Sequence, residues 1–105
     1  MTFRVRIDPL AQREIDEFAV YSSAFSEEFA IEQFARLDEV LSRDLAQHPL
    51  WRTFFPLTGA PYYGYLFRVG RRTKYWIIYT ADDEQGVVNV LRFWSASRDP
   101  AGLHL

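Results

Sequence analysis

The chain has 105 residues, 49% of them hydrophobic and 17% aromatic, with a formal net charge of −2 and no cysteine. That composition excludes a disordered tail, because enough apolar surface is present to offset chain entropy. It also excludes disulfides and thiolate metal sites, and its length suits one domain spanning residues 1–105. The N-terminal MTFRVRIDPL holds no apolar run or cleavage signal, and no stretch is long enough to span a bilayer. A cytoplasmic protein without membrane partners is expected. Charge is uneven: residues 1–57 carry 6 basic and 10 acidic side chains, and residues 58–105 carry 6 basic and 4 acidic. An anionic partner would favour the second half.

Phe3, Val5 and Ile7 alternate with Arg4, Arg6 and Asp8, a period of two that predicts a half-buried strand. Asp8-Pro9 predicts a helix start, with Asp8 as cap and Pro9 in the first turn. Ala11, Ile15 and Phe18 then recur at helical spacing, and Tyr21-Ser22-Ser23 ends the helix. Ser26 caps a second helix with Glu27 and Glu28 near its positive end. Its apolar stripe runs through Ala30, Phe34, Leu37, Leu41 and Leu45 to His48-Pro49. So short a connection predicts an antiparallel helix hairpin.

The rest changes character. Trp51 to Leu57 reads as a short strand, with Pro56 suited to an edge, and Gly59-Ala60-Pro61 as a turn. Tyr62 to Val69, Lys74 to Thr80 and Val87 to Trp94 are rich in aromatic and β-branched residues and read as strands. The turns between them fall at Gly70-Arg71-Arg72-Thr73 and at Asp82 to Gly86. The expected fold class is α+β: an N-terminal strand, an antiparallel helix hairpin, then a three- to four-stranded antiparallel sheet to which the first strand returns.

A two-residue turn at Arg71-Arg72 would set Arg68 opposite Tyr75, Leu66 opposite Ile77 and Gly64 opposite Tyr79. Phe67, Trp76 and Ile78 would then pack on the helices. Gly64, Leu66, Arg68, Tyr75, Ile77 and Tyr79 would form the open face, an exposed apolar patch suited to a protein partner. Arg71, Arg72 and Lys74 form a basic tip, or simply a solvated turn. Asp82-Asp83-Glu84 reads as a wet turn, and no metal or other cofactor is expected, since no further carboxylate lies at ligand spacing. His48 and His104 read as surface side chains.

Three patterns in this order resemble the RelE/ParE superfamily: a first strand running into Asp8-Pro9-Leu10-Ala11 and Glu14-Ile15; the hairpin Tyr65-Leu66-Phe67-Arg68-Val69-Gly70 with Tyr75-Trp76-Ile77-Ile78-Tyr79; and a last strand ending in Ser97-Arg98-Asp99-Pro100. The resemblance covers nearly the whole chain. It implies the toxin of a type II toxin–antitoxin pair, held by a cognate antitoxin in a hetero-oligomer. The RelE-like branch cuts messenger RNA on the ribosome, and the ParE-like branch poisons DNA gyrase.

RelE-like ribonucleases place lysines at positions matching Gly64 and Leu66, and many relatives carry a histidine where Ser95 stands. These residues cannot replace those groups, so the ParE-like branch is favoured and catalysis is not expected. Arg68 and Arg98 would be the residues of any remaining ribonuclease. They are also candidates, with Leu66, Tyr75, Ile77, Tyr79, Arg71 and Arg72, for target or antitoxin binding. The competing reading pairs Arg68 or Arg98 structurally with Asp99 or Glu14. A weakly toxic homologue acting as a regulator is a third possibility.

Overall fold

The computed structural model describes residues 2–51, 62–103 and 105. The expected strand beyond Trp51, the turn at Gly59-Ala60-Pro61 and His104 lie outside the described residues.

Strand β1, Arg4–Ile7, leads into helix α1, Pro9–Ser23. Asp8 caps α1 by accepting the Leu10 N–H at 3.0 Å, and Pro9 sits in the first turn. Helix α2, Glu27–Glu39, starts at Ser26, whose hydroxyl accepts the Phe29 N–H at 2.9 Å. Both starts fall where the capping residues predict.

The apolar stripe of α2 departs from the expected simple repeat. A π-helical segment, Val40–Asp44, follows α2 before a closing turn, Leu45–Gln47. Its wider turn moves the inward face, so Gln33, Leu37, Val40 and Leu45 are buried, while Phe34 and Leu41 pack at the margin. Pro49–Trp51 then forms a short 3₁₀ turn.

Strands β2, Tyr63–Val69, β3, Thr73–Asp82, and β4, Val87–Ser95, form an antiparallel meander. The four-stranded order is β1-β4-β3-β2. β1 pairs with β4 in parallel, Arg4 beside Val87 through Ile7 beside Val90, so the sheet is mixed where an antiparallel one was expected. Leu91 has no partner in the β3–β4 register, which shifts between Ile78 and Tyr79. An extra residue of this kind is a β-bulge.

The hairpin register also differs from the expectation. The β2–β3 turn contains three residues, Gly70-Arg71-Arg72, and Val69 pairs with Thr73. Gly70 takes a positive φ of 64°, a conformation open to glycine at little cost. Arg68 therefore faces Lys74, Leu66 faces Trp76 and Gly64 faces Ile78. One residue of slip sends every β3 side chain to the opposite face. Tyr75, Ile77 and Tyr79 turn towards the helices, while Trp76 and Ile78 join Trp94, Tyr62 and Leu103 on the outer face.

The core lies between the helices and the inner sheet face. Phe18 touches the rings of Phe34, Phe67, Tyr75 and Phe93, at centroid distances from 5.1 to 6.3 Å. Each such side chain contributes about 1.5–3 kcal/mol by burial alone. Among the described residues, no helix is long and apolar enough to cross a membrane.

Candidate interaction site at the hairpin end of the sheet

Layering sorts charge as well as polarity. From Asp8 to His48 the helix layer carries ten acidic and three basic side chains; β1 and residues 62–103 carry eight basic and four acidic. A net charge of −2 thus conceals a dipole with its positive end on the sheet. Arg4 and Arg6 point outward from β1, since Val5 and Ile7 pack inward.

Most of the sheet's cations gather at the end formed by the β2–β3 turn and the exit of β4. Arg68, Arg71, Arg72, Lys74 and Arg98 are all exposed. Arg68 and Lys74 are cross-strand neighbours, an arrangement of like charges that destabilises a sheet. Among the described residues none of the five forms an ion pair. Arg98 instead stacks on Trp94, its Cζ 4.0 Å from the ring.

Neither carboxylate expected to hold these arginines does so. Asp99 caps a 3₁₀ turn, Pro100–Gly102, by accepting the Ala101 N–H at 2.9 Å. Glu14 holds Arg92, with Nε–Oε1 at 3.0 Å and Nη2–Oε2 at 2.9 Å. Both side chains are only 10% exposed. Glu14 Oε1 also accepts the Phe93 N–H, at 3.0 Å. β1 flanks β4 only as far as Val90, so the carboxylate caps the sheet edge beyond it. Arg92 was not among the predicted site residues; the clue was a charge inside the apolar run Val87 to Trp94.

The predicted site residues separate into two groups. Arg68, Arg71, Arg72 and Arg98 meet at the cationic end, and Leu66 lies half-buried on the outer face opposite Trp76. Ile77 and Tyr79 are fully buried and cannot present an open binding face. Tyr79 Oη donates to the Pro49 carbonyl at 2.7 Å, which ties β3 to the end of the helix layer.

Tyr75 also faces the helices, at 4.6 Å and 11° from Phe93. It lines a cleft between α1 and the free edge of β4, with Glu17, Tyr21, Ser95 and Arg98 around it. Burial, and secondarily the nearby Tyr21, raise its pKa above the ordinary 10.0. Ser95 shares a 3.0 Å hydrogen bond with the Ser97 hydroxyl.

Asp82 supports the β3–β4 turn, its Oδ1 accepting the Glu84 and Gln85 N–H groups at 3.0 and 3.1 Å. No three potential metal ligands cluster among the described residues.

An antiparallel helix pair on one face of a small mixed sheet, with unpaired cations where hairpin and last strand meet, has the architecture of RelE/ParE-type toxins. The family model described as ParE toxin of type II toxin-antitoxin system, parDE, matches residues 5–100. The chain belongs to that family, whose members are the toxins of two-component toxin–antitoxin systems. Comparison with curated proteins found no match.

Proposed function

We propose that this chain is a growth-inhibiting toxin that acts by gripping a protein target of the DNA gyrase type and is neutralised by a cognate antitoxin. The observation that carries this reading is the make-up of the outer sheet face. Gly64, Leu66, Trp76, Ile78 and Trp94 occupy its centre, and Arg68, Lys74 and Arg98 stand at its hairpin end. RNA cleavage needs side chains that move protons in the transition state, and those central residues have none to offer. Ile78 and Trp94 are buried there, so the face is met through half-buried Leu66 and Trp76 and the exposed cations beside them, which suit recognition of an acidic protein surface. No cofactor enters this reading.

The test compares targets directly. Purified protein is added to a gyrase supercoiling assay and, separately, to programmed ribosomes. Gyrase inhibition without codon-dependent messenger cleavage is expected, weakened in Arg68→Ala and Arg98→Ala. Rapid cleavage in the ribosomal A site, lost in Arg68→Ala, would put the ribonuclease reading first.

A further inference from the structure

Trp94, near the end of β4, carries two cations on its ring. The Arg92 Cζ lies 4.7 Å from the ring centroid and the Arg98 Cζ 4.0 Å. The indole is buried, at 3% exposure, and packs with Ile78, Trp76 and Leu103. Gly102 closes over its edge, so near that a Cβ there would sit 3.7 Å from the ring carbon Cη2. Among the described residues the indole Nε1 finds no hydrogen-bond acceptor. This tryptophan therefore serves its surroundings through its face and not through its N–H.

The two cations are otherwise unlike. Arg92 is buried and held by both carboxylate oxygens of Glu14. Arg98 is exposed and forms no ion pair among the described residues. Its neighbour in sequence, Asp99, is turned instead to the Ala101 N–H. The Arg98 backbone is tied down as well, its N–H donating to the Ser95 carbonyl at 3.1 Å. A carboxylate could orient this arginine but would cancel its charge. An aromatic face orients a guanidinium and leaves both the charge and the donors at its rim available.

We infer that Trp94 is a positioning residue for target binding: it holds the Arg98 guanidinium in place with its charge intact, ready for an acidic group on the partner. A free arginine side chain loses rotamer freedom when it engages a partner, and one already stacked has less to lose. Arg92 suits that task less, because Glu14 already neutralises it. Trp94 has this role on the reading that the cationic hairpin end grips the toxin's target, and it gives one of those cations its direction.

The experiment has two arms. The first is spectroscopic and needs no target. Protons above an aromatic face resonate upfield, so the Arg98 side-chain protons of the parent should be shifted upfield in a proton–carbon correlation spectrum. The shift should disappear in Trp94→Met, which fills space without a π-face, and persist in Trp94→Phe. The second arm is a double-mutant cycle read on gyrase supercoiling. Trp94→Met should raise the inhibitory concentration about tenfold, and Trp94→Phe should recover most of that loss. In the Arg98→Ala background Trp94→Met should change it about twofold at most, because nothing remains to be positioned. A tryptophan that only stabilised the fold would cost as much in both backgrounds.

Arg98 protons at their ordinary shifts in the parent overturn the inference, and that spectrum requires no variant to fold. So do additive losses in the cycle, or a Trp94→Met protein that inhibits as well as the parent. If gyrase does not respond to the parent, the same cycle is read on growth inhibition at matched expression, which names no target. Failure of the gyrase reading is then distinguishable from failure of Trp94 to position Arg98.

Discussion

Glu14 Oε1 accepts from two successive residues of β4, the Arg92 side chain and the Phe93 backbone N–H, both at 3.0 Å. One carboxylate therefore neutralises a buried guanidinium and completes the sheet's unpaired edge. Removing it leaves a desolvated cation and an orphan amide together. Glu14→Ala should lower stability by about 3–5 kcal/mol, read as a fall in the urea midpoint. The double variant Glu14→Gln/Arg92→Met should recover part of that loss. Glutamine keeps an oxygen for Phe93, and no charge remains buried. A Glu14→Ala protein as stable as the parent would show that the pair contributes nothing.

Ile77 and Tyr79 belong to the core, so their truncation should act on folding. Ile77→Ala should cost about 2–5 kcal/mol, as cavity-forming core changes do. Tyr79→Phe should cost about 1–3 kcal/mol, because the Pro49 carbonyl loses its donor. Leu66→Ala, on the half-buried outer face, should cost less than Ile77→Ala. Equilibrium denaturation of the three variants checks the ranking, and the reverse order would restore the register of a two-residue turn.

The unpaired charges at the hairpin end should oppose stability while serving binding. Lys74→Glu places opposite charges across the β2–β3 ladder, where Arg68 now faces Lys74. The variant should melt at a higher temperature than the parent in low salt, and the gain should shrink as salt screens the pair. Growth inhibition by the induced variant should weaken, as expected when function tolerates an unfavourable charge arrangement. Higher stability with full toxicity would remove Lys74 from the binding surface.

Tyr75 should titrate late. Burial disfavours its phenolate, and Tyr21 adds to the shift. Its folded pKa lies above that of the unfolded chain, so the resulting stability is fully present below pH ~10 and is lost as pH rises through the folded value. Ultraviolet titration of the parent against Tyr75→Phe should show one phenol ionising above the ordinary range. Tyr21→Phe should reduce the shift without abolishing it, since burial is the larger cause. An ordinary Tyr75 titration would mean that water reaches the ring freely.

Local chemistry was legible in the sequence wherever a single residue type decided the outcome. Asp8-Pro9 and Ser26 start their helices because short polar side chains can satisfy free amides, and the strand boundaries follow the aromatic and β-branched runs. The hairpin register was not legible in this way. It depended on whether the turn held two residues or three, and Gly70 supplied the third through its positive φ. From that one residue follow the burial of Ile77 and Tyr79, the outward turn of Trp76 and the meeting of Arg68 with Lys74. The Glu14–Arg92 pair escaped notice because its members lie 78 residues apart and no periodicity links them.

The parallel pairing of β1 with β4 sets the order in which the molecule can become itself. Arg4 to Ile7 find their partners only at Val87 to Val90, so the first strand made must wait for the last. Closing so long a loop costs entropy before its hydrogen bonds repay it, and such non-local pairing slows folding. The helix hairpin can form early from local contacts, whereas the mixed sheet can close only after β4 has been synthesised. During synthesis the chain therefore passes through a stage with its helices formed and its sheet unclosed, and apolar surface exposed at that stage invites aggregation or capture by another protein.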